Sequence, residues 1–136
     1  MRYISYRSGY KYQLAEDYSV VTVLRPPERI TTRFISLETD GTLTVLGGYA
    51  WDGPSGPTFD TPSSMRGSLV HDALYQLLRG GFLPAESRDQ ADDELYRVCL
   101  DDRMWKWRAR LWLRAVRKFA TGAADPKHKK RVYLAP

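Results

Sequence analysis

Cysteine is almost missing from this chain: Cys99 stands alone among 136 residues, so no intramolecular disulfide can form. That excludes a small secreted scaffold held by disulfides and fits synthesis in a reducing compartment. Histidine is nearly as scarce, with only His71 and His128, and so few nitrogen and sulfur ligands exclude a zinc site. An H…HD…D metal-phosphohydrolase set fails too, because His128 lies in a basic tail rather than upstream of His71. No apolar run approaches the roughly 18 residues that a membrane span needs. The start, Met1-Arg2-Tyr3-Ile4-Ser5-Tyr6, has no apolar signal-peptide core. The expectation is a chain that is soluble when made and meets a membrane, if at all, from its surface. There is no G-x-S-x-G elbow and no phosphate-binding P-loop, and neither an internal repeat nor a low-complexity tract.

What is present suits one domain. The hydrophobic fraction of 43% supports a core, and 21 lysines and arginines against 16 aspartates and glutamates give a formal charge of +5. The excess is concentrated in the last third, and a field of that size attracts phosphates of nucleic acid or anionic lipid only mildly. The division expected is a single α+β domain over residues 1–122 and a basic C-terminal tail over 123–136, with Pro126-Lys127-His128-Lys129-Lys130-Arg131 as its charged run.

Residues 1 to about 50 read as three to five short antiparallel strands. Tyr18–Leu24 is rich in β-branched residues and ends at Pro26-Pro27. Phe34–Glu38 and Thr42–Leu46 flank Asp40-Gly41, a hairpin signal because glycine accepts positive φ. Residues 47–62 then carry too much glycine and proline for a helix or a central strand. Such a loop turns backbone carbonyls or amides toward one point, or else serves as a rigid connector.

Three helices follow. Thr61 as N-cap and Pro62 at the first position start the first, and Gly80-Gly81 end it. Met65, Leu69, Val70, Ala73, Leu74, Leu77 and Leu78 recur at helical spacing, which places His71, Tyr75 and Leu78 on or beside the packed stripe and turns Asp72 about 100° away. The second helix opens at Ser87-Arg88-Asp89-Gln90, an S-x-x-Q capping box. Asp92, Leu95, Tyr96 and Cys99 share its apolar face, whereas Asp93, Asp101 and Asp102 lie elsewhere. A carboxylate on a core-facing stripe needs a partner. His71 is the one expected, if the helices pack antiparallel across the 80–86 link, with Asp89 in reserve on the second helix. The third helix, roughly Met104 to Ala120, sets Trp105, Ala109, Trp112, Val116 and Phe119 on one side and Lys106, Arg108, Arg110, Arg114, Arg117 and Lys118 around the rest. Arg110, Arg114, Arg117 and Lys118 are the candidates for an anionic surface, lipid above all. Nucleic acid has no recognised motif to support it, and a packed, solvated helix is the plain alternative.

The candidate site joins Val70-His71-Asp72 to Asp92 and to the loop Asp52-Gly53-Pro54-Ser55-Gly56-Pro57. In a hydrolase of this design Asp92 accepts from one imidazole nitrogen, fixing the tautomer, and the other nitrogen deprotonates a water. Asp72 and loop carbonyls, with Asp52 at the loop's head, are the ligands for a Ca²⁺ that polarises a substrate carbonyl.

These residues carry two resemblances. D-G-x-S-x-P at Asp52–Pro57, H-D-x-L-Y at His71–Tyr75, and Ala91-Asp92 with Leu95 three residues on resemble a phage and prophage domain-of-unknown-function family (number thirteen fifty-three), over about residues 45–120. That resemblance implies phage or prophage origin, synthesis in the host cytoplasm, and incorporation in a virion as one outcome. It implies no activity. H-D-x-x-Y on a helix, a glycine-rich loop before it and an aspartate on the next helix resemble the phospholipase A2 active site. Carried over, His71 is the general base, Asp72 the calcium carboxylate, and Tyr75 and Asp92 its support, with the Gly53-to-Gly56 region supplying carbonyls. The cysteines that flank this motif in the secreted enzymes are absent, and so is their Y-x-G-x-G loop. Cysteine-poor viral capsid phospholipases have a G-P-G loop to which Gly53-Pro54-Ser55-Gly56 is loosely similar. Two readings stay open: a calcium-dependent phospholipase A2-like hydrolase, and a non-enzymatic phage virion, tail or assembly protein in which His71, Asp72 and Asp92 form a structural network and the basic helix binds other phage proteins or nucleic acid. Catalysis requires a reachable His71; the structural reading requires a sealed one.

Overall fold

The computed structural model describes residues 3–9, 12–54, 61–119 and 134. The chain is α+β, with seven short strands before three helices among the described residues. The strands are β1 (Tyr6–Arg7), β2 (Tyr12–Leu14), β3 (Tyr18–Val21), β4 (Ile30–Thr31), β5 (Ile35–Leu37), β6 (Thr42–Val45) and β7 (Ala50–Trp51). They form two antiparallel sheets, ordered β1-β2-β7 and β3-β6-β5-β4. The expected range of three to five strands is therefore too low. β1, β4 and β7 are two residues long, too short for any periodicity to mark them.

The β5–β6 hairpin forms where Asp40-Gly41 predicts it. Leu37 pairs with Leu43, Gly41 has φ +93°, and the Asp40 carboxylate accepts the Thr42 N–H at 2.9 Å. That backbone bond holds the Asp40 carboxyl below its usual range. Ile35, Leu37, Leu43 and Val45 are buried while Ser36, Thr42 and Thr44 between them are only partly covered, the alternation of a sheet with one face in a core.

Helix α1 runs Pro62–Arg79, with Thr61 as N-cap, and ends at Gly80. Thr61 N–H donates back to Ser64 Oγ at 3.0 Å. Helix α2 runs Arg88–Asp101 and lies antiparallel to α1, as the pairings of His71 with Asp92 and of Arg66 with Asp102 require. The expected Ser87 capping box does not form. A 3-10 turn over Ala85–Ser87 runs straight into α2, so Ser87 already has helical φ −73° and ψ −8° and caps nothing with its side chain. An N-cap needs extended backbone to aim its oxygen at the first amides.

One core gathers the inner faces of both sheets and α1, including Leu14, Leu37, Leu43, Trp51, Leu69 and Leu74. A second, smaller one joins α2 to α3 (Lys106–Phe119) through Leu95, Cys99, Met104, Ala109, Trp112 and Val116. Burial pushes the Cys99 thiol up to about 12, which keeps it an inert core residue. Trp105, expected on the packed side of α3, is instead 71% exposed: it precedes the first helical residue, so the helical phase does not apply to it. Among the described residues no helix is long and apolar enough to cross a membrane.

Candidate active site

Each residue of the site is aimed by its element. Asp92 is fully buried on the face of α2 that packs against α1, the position its phase with Leu95 and Cys99 predicts. Its Oδ1 accepts from His71 Nε2 at 2.7 Å and from the Tyr75 hydroxyl at 2.7 Å. His71 and Tyr75 are one helical turn apart on α1, and their rings stack with centroids 4.1 Å apart. A carboxylate only accepts, so the arrangement suits two donors, the Tyr75 hydroxyl and the Nε2–H tautomer of His71. Nδ1 is left as the basic nitrogen, with no partner among the described residues. The His71 side chain is 13% exposed, so it sits at the edge of the core rather than sealed within it. Asp92 Oδ2 is buried without a hydrogen-bond partner among the described residues, an orphaned acceptor at the centre of the network. Burial, and next the bond to Asp92, raise the Tyr75 hydroxyl well above its ordinary range, which keeps it a donor.

Asp72 faces the other way, toward the end of the first sheet. The hydroxyl of Tyr49, just before β7, donates to Asp72 Oδ2. Tyr49 is itself fixed by the main chain: its N–H donates to Leu46 O at 3.2 Å and its carbonyl accepts the Leu14 N–H at 2.8 Å. Burial raises the Asp72 carboxyl, against the lowering effects of the Tyr49 bond and then of Arg79 and His71, and the negative charge of Asp52 adds a smaller rise. Two carboxylates close enough to sense each other are oxygen donors of the kind a hard cation takes. Among the described residues no group of three histidines, cysteines or acids is placed to hold a metal, so a cation at Asp72 would draw on Asp52 and on backbone carbonyls. The loop that would provide them leaves β7 through Asp52 and Gly53. Gly53 has φ +88°, and a Cβ there would lie 2.5 Å from the Tyr12 ring, so the loop turns hard against β2. Ser55, Gly56 and Pro57 lie outside the described residues.

Several residues were not singled out by the sequence. Tyr49 carries no signal beyond its place in the loop, and its partner lies 23 positions on. Glu94 is 1% exposed, a neighbour of Asp92 with a different task. Its Oε1 accepts the Val23 N–H at 2.8 Å, and its Oε2 accepts from Arg97 at 2.6 Å, tying α2 to the chain leaving β3. Arg66 donates to both oxygens of Asp102 and, at 2.9 Å, to the Tyr18 hydroxyl, joining α1, α2 and β3. Of the basic residues on α3, Arg110 and Arg114 are exposed, while Arg117 donates to Asp93 and Lys118 makes contacts of its own. The reserve candidate Asp89 is exposed and lies 3.9 Å from Arg88.

No family model, no curated protein and no solved structure matches this chain.

Proposed function

We propose that this chain is a small phage- or prophage-type hydrolase that uses His71 and Asp92 as phospholipase A2-like enzymes use their pair, on a carboxylic ester of an anionic lipid. The observation that carries the reading is the convergence of His71 Nε2 and the Tyr75 hydroxyl on one oxygen of a fully buried Asp92. With Nε2–H committed to the carboxylate, Nδ1 removes a proton from a water, and the resulting hydroxide attacks the ester carbonyl. The proton then passes from Nδ1 to the departing alkoxide, so acid and alcohol leave and the imidazole is neutral again. Asp92 stabilises the imidazolium while it exists. The residues that would hold a calcium ion are Asp72 and Asp52, with carbonyls from the Gly53-to-Gly56 region. Bound there, it would supply positive charge against the developing oxyanion.

The phage setting rests on the D-G-x-S-x-P, H-D-x-L-Y and A-D motifs, with synthesis in the host cytoplasm and a place in the virion as parts of the same proposal. The second reading, a non-enzymatic virion, tail or assembly component, is favoured by the way the same network bridges α1 and α2 from inside the core. An assay of fatty-acid release from mixed anionic liposomes, with calcium or chelator, separates the two. The hydrolase reading expects release that needs calcium and is abolished in His71→Ala. Release that is absent throughout, or unchanged by the substitution, leaves the structural reading standing.

A further inference from the structure

The N-terminal part of α3 and the turn before it carry a surface that the core does not use. Trp105, Trp107 and Leu111 are 71%, 62% and 45% exposed, and the two indoles pack on each other with centroids 6.1 Å apart. Ala109, Trp112 and Val116, on the opposite face, are the ones buried against α2. Around the exposed apolar group stand Arg103, Lys106, Arg110 and Arg114, all exposed. Among the described residues none of these four side chains has an ion-pair or hydrogen-bond partner. No acid occurs between residues 103 and 119. The C-terminal part of the helix differs, since Arg117 is engaged by Asp93.

We infer that Trp105, Trp107 and Leu111, ringed by Arg103, Lys106, Arg110 and Arg114, form a docking surface for an anionic lipid bilayer. Indoles have an apolar body and a polar N–H, and they settle at the headgroup level of a membrane. Unpaired cations beside them meet anionic headgroups without first breaking an internal pair. Leu111 decides between polyanions: an exposed aliphatic side chain gains by entering the acyl boundary and gains nothing from the phosphates of a nucleic acid. The basic patch thus shares Arg110 and Arg114 with the expected set and has Arg103 and Lys106 in place of Arg117 and Lys118. The inference rests on the hydrolase reading only for its purpose, to hold the chain on an aggregated substrate; the surface itself needs no catalysis.

Binding of the full chain to phosphatidylcholine vesicles, with and without phosphatidylglycerol, tests it by co-sedimentation and tryptophan emission. Of the four tryptophans, Trp51 and Trp112 are already buried, so a blue shift on vesicles reports Trp105 and Trp107. The expected result is salt-sensitive binding to the mixed vesicles only, reduced about tenfold or more in Arg110→Glu/Arg114→Glu and in Trp105→Ala/Trp107→Ala, with unchanged thermal melting. Leu111→Ser serves the same purpose should either double variant melt early. Equal binding to phosphatidylcholine alone overturns the inference. So does undiminished binding by the folded variants, or binding to duplex nucleic acid in place of vesicles. His71→Ala keeps its vesicle affinity, so a failure of catalysis and a failure of docking are read separately.

Discussion

Nε2 of His71 lies 2.7 Å from Oδ1 of Asp92 across the α1–α2 interface, with the carboxylate fully buried and the imidazole still 13% exposed. The two ends of this bond therefore differ in what their loss does. Asp92→Ala leaves the Tyr75 hydroxyl and His71 Nε2 without their acceptor inside the core, and a loss of about 3 kcal/mol of stability is expected in urea unfolding. His71→Ala, at the rim, is expected to lose less than half of that and, on the proposed hydrolase reading, to abolish hydrolysis. Asp92→Asn keeps the shape and tests the proposed chemistry: if the chain is the proposed hydrolase, ester hydrolysis should fall about 100-fold or more, because the carboxylate no longer holds the tautomer or the imidazolium.

Tyr75→Phe removes the second donor to the same oxygen. The hydroxyl is buried and bonds a carboxylate, so a loss of about 1.5–3 kcal/mol is expected by denaturant titration. The proposed hydrolysis is expected to persist at a reduced rate, since His71 keeps its partner.

Asp72 gives a pH dependence whose sign follows from burial. Its folded carboxyl is raised above the ordinary carboxylate range by desolvation, ahead of the opposing Tyr49 bond. The folded state therefore holds this proton more tightly than the unfolded one, and the stabilising contribution, complete below the unfolded value, is lost as pH rises through the folded one. Asp72→Asn has no charge to desolvate and still accepts from Tyr49. Its melting temperature should match the parent at about pH 3 and exceed it at about pH 7. Calcium should raise the melting temperature of the parent at neutral pH and leave the variant unmoved. A calcium effect equal in both would remove Asp72 as a ligand.

Gly67 of α1 packs against α2 with no room for a side chain. A Cβ there would stand 2.7 Å from Cys99 Sγ and 3.1 Å from Leu95 Cδ1. Gly67→Ala gains helix propensity yet must push α2 aside, and a net loss of about 1–3 kcal/mol is expected. The urea midpoint should fall with an unchanged slope. Because Asp92 rides on α2, the proposed hydrolysis should fall along with it even where the variant is fully folded.

Arg66 and Asp102 are 7% and 12% exposed and joined at 2.9 Å. Asp102→Ala takes the paired carboxylate away from a buried guanidinium, and about 3 kcal/mol is the expected loss in thermal or urea unfolding. Asp102→Asn, which still accepts, should lose less.

Local signals in the chain determined the helices and the hairpin. Thr61-Pro62 and Gly80 bound α1 because capping chemistry is set by a few adjacent residues, and Asp40-Gly41 turns β5 into β6 for the same reason. The phase of Asp92 with Leu95 and Cys99 put a carboxylate on an apolar face, and a buried carboxylate must find a partner; from there, His71 followed. Only the tertiary structure decided the rest. Ser87 caps nothing because a 3-10 turn enters α2 ahead of it. Asp72 belongs to Tyr49, and Glu94 to the Val23 amide, through bonds that span 23 and 71 positions. Arg117 is drawn to Asp93, whereas Arg110 and Arg114 stay exposed beside Trp107. Spacing along a chain tells which way a side chain points from its own helix or strand; what it meets there depends on how the elements pack.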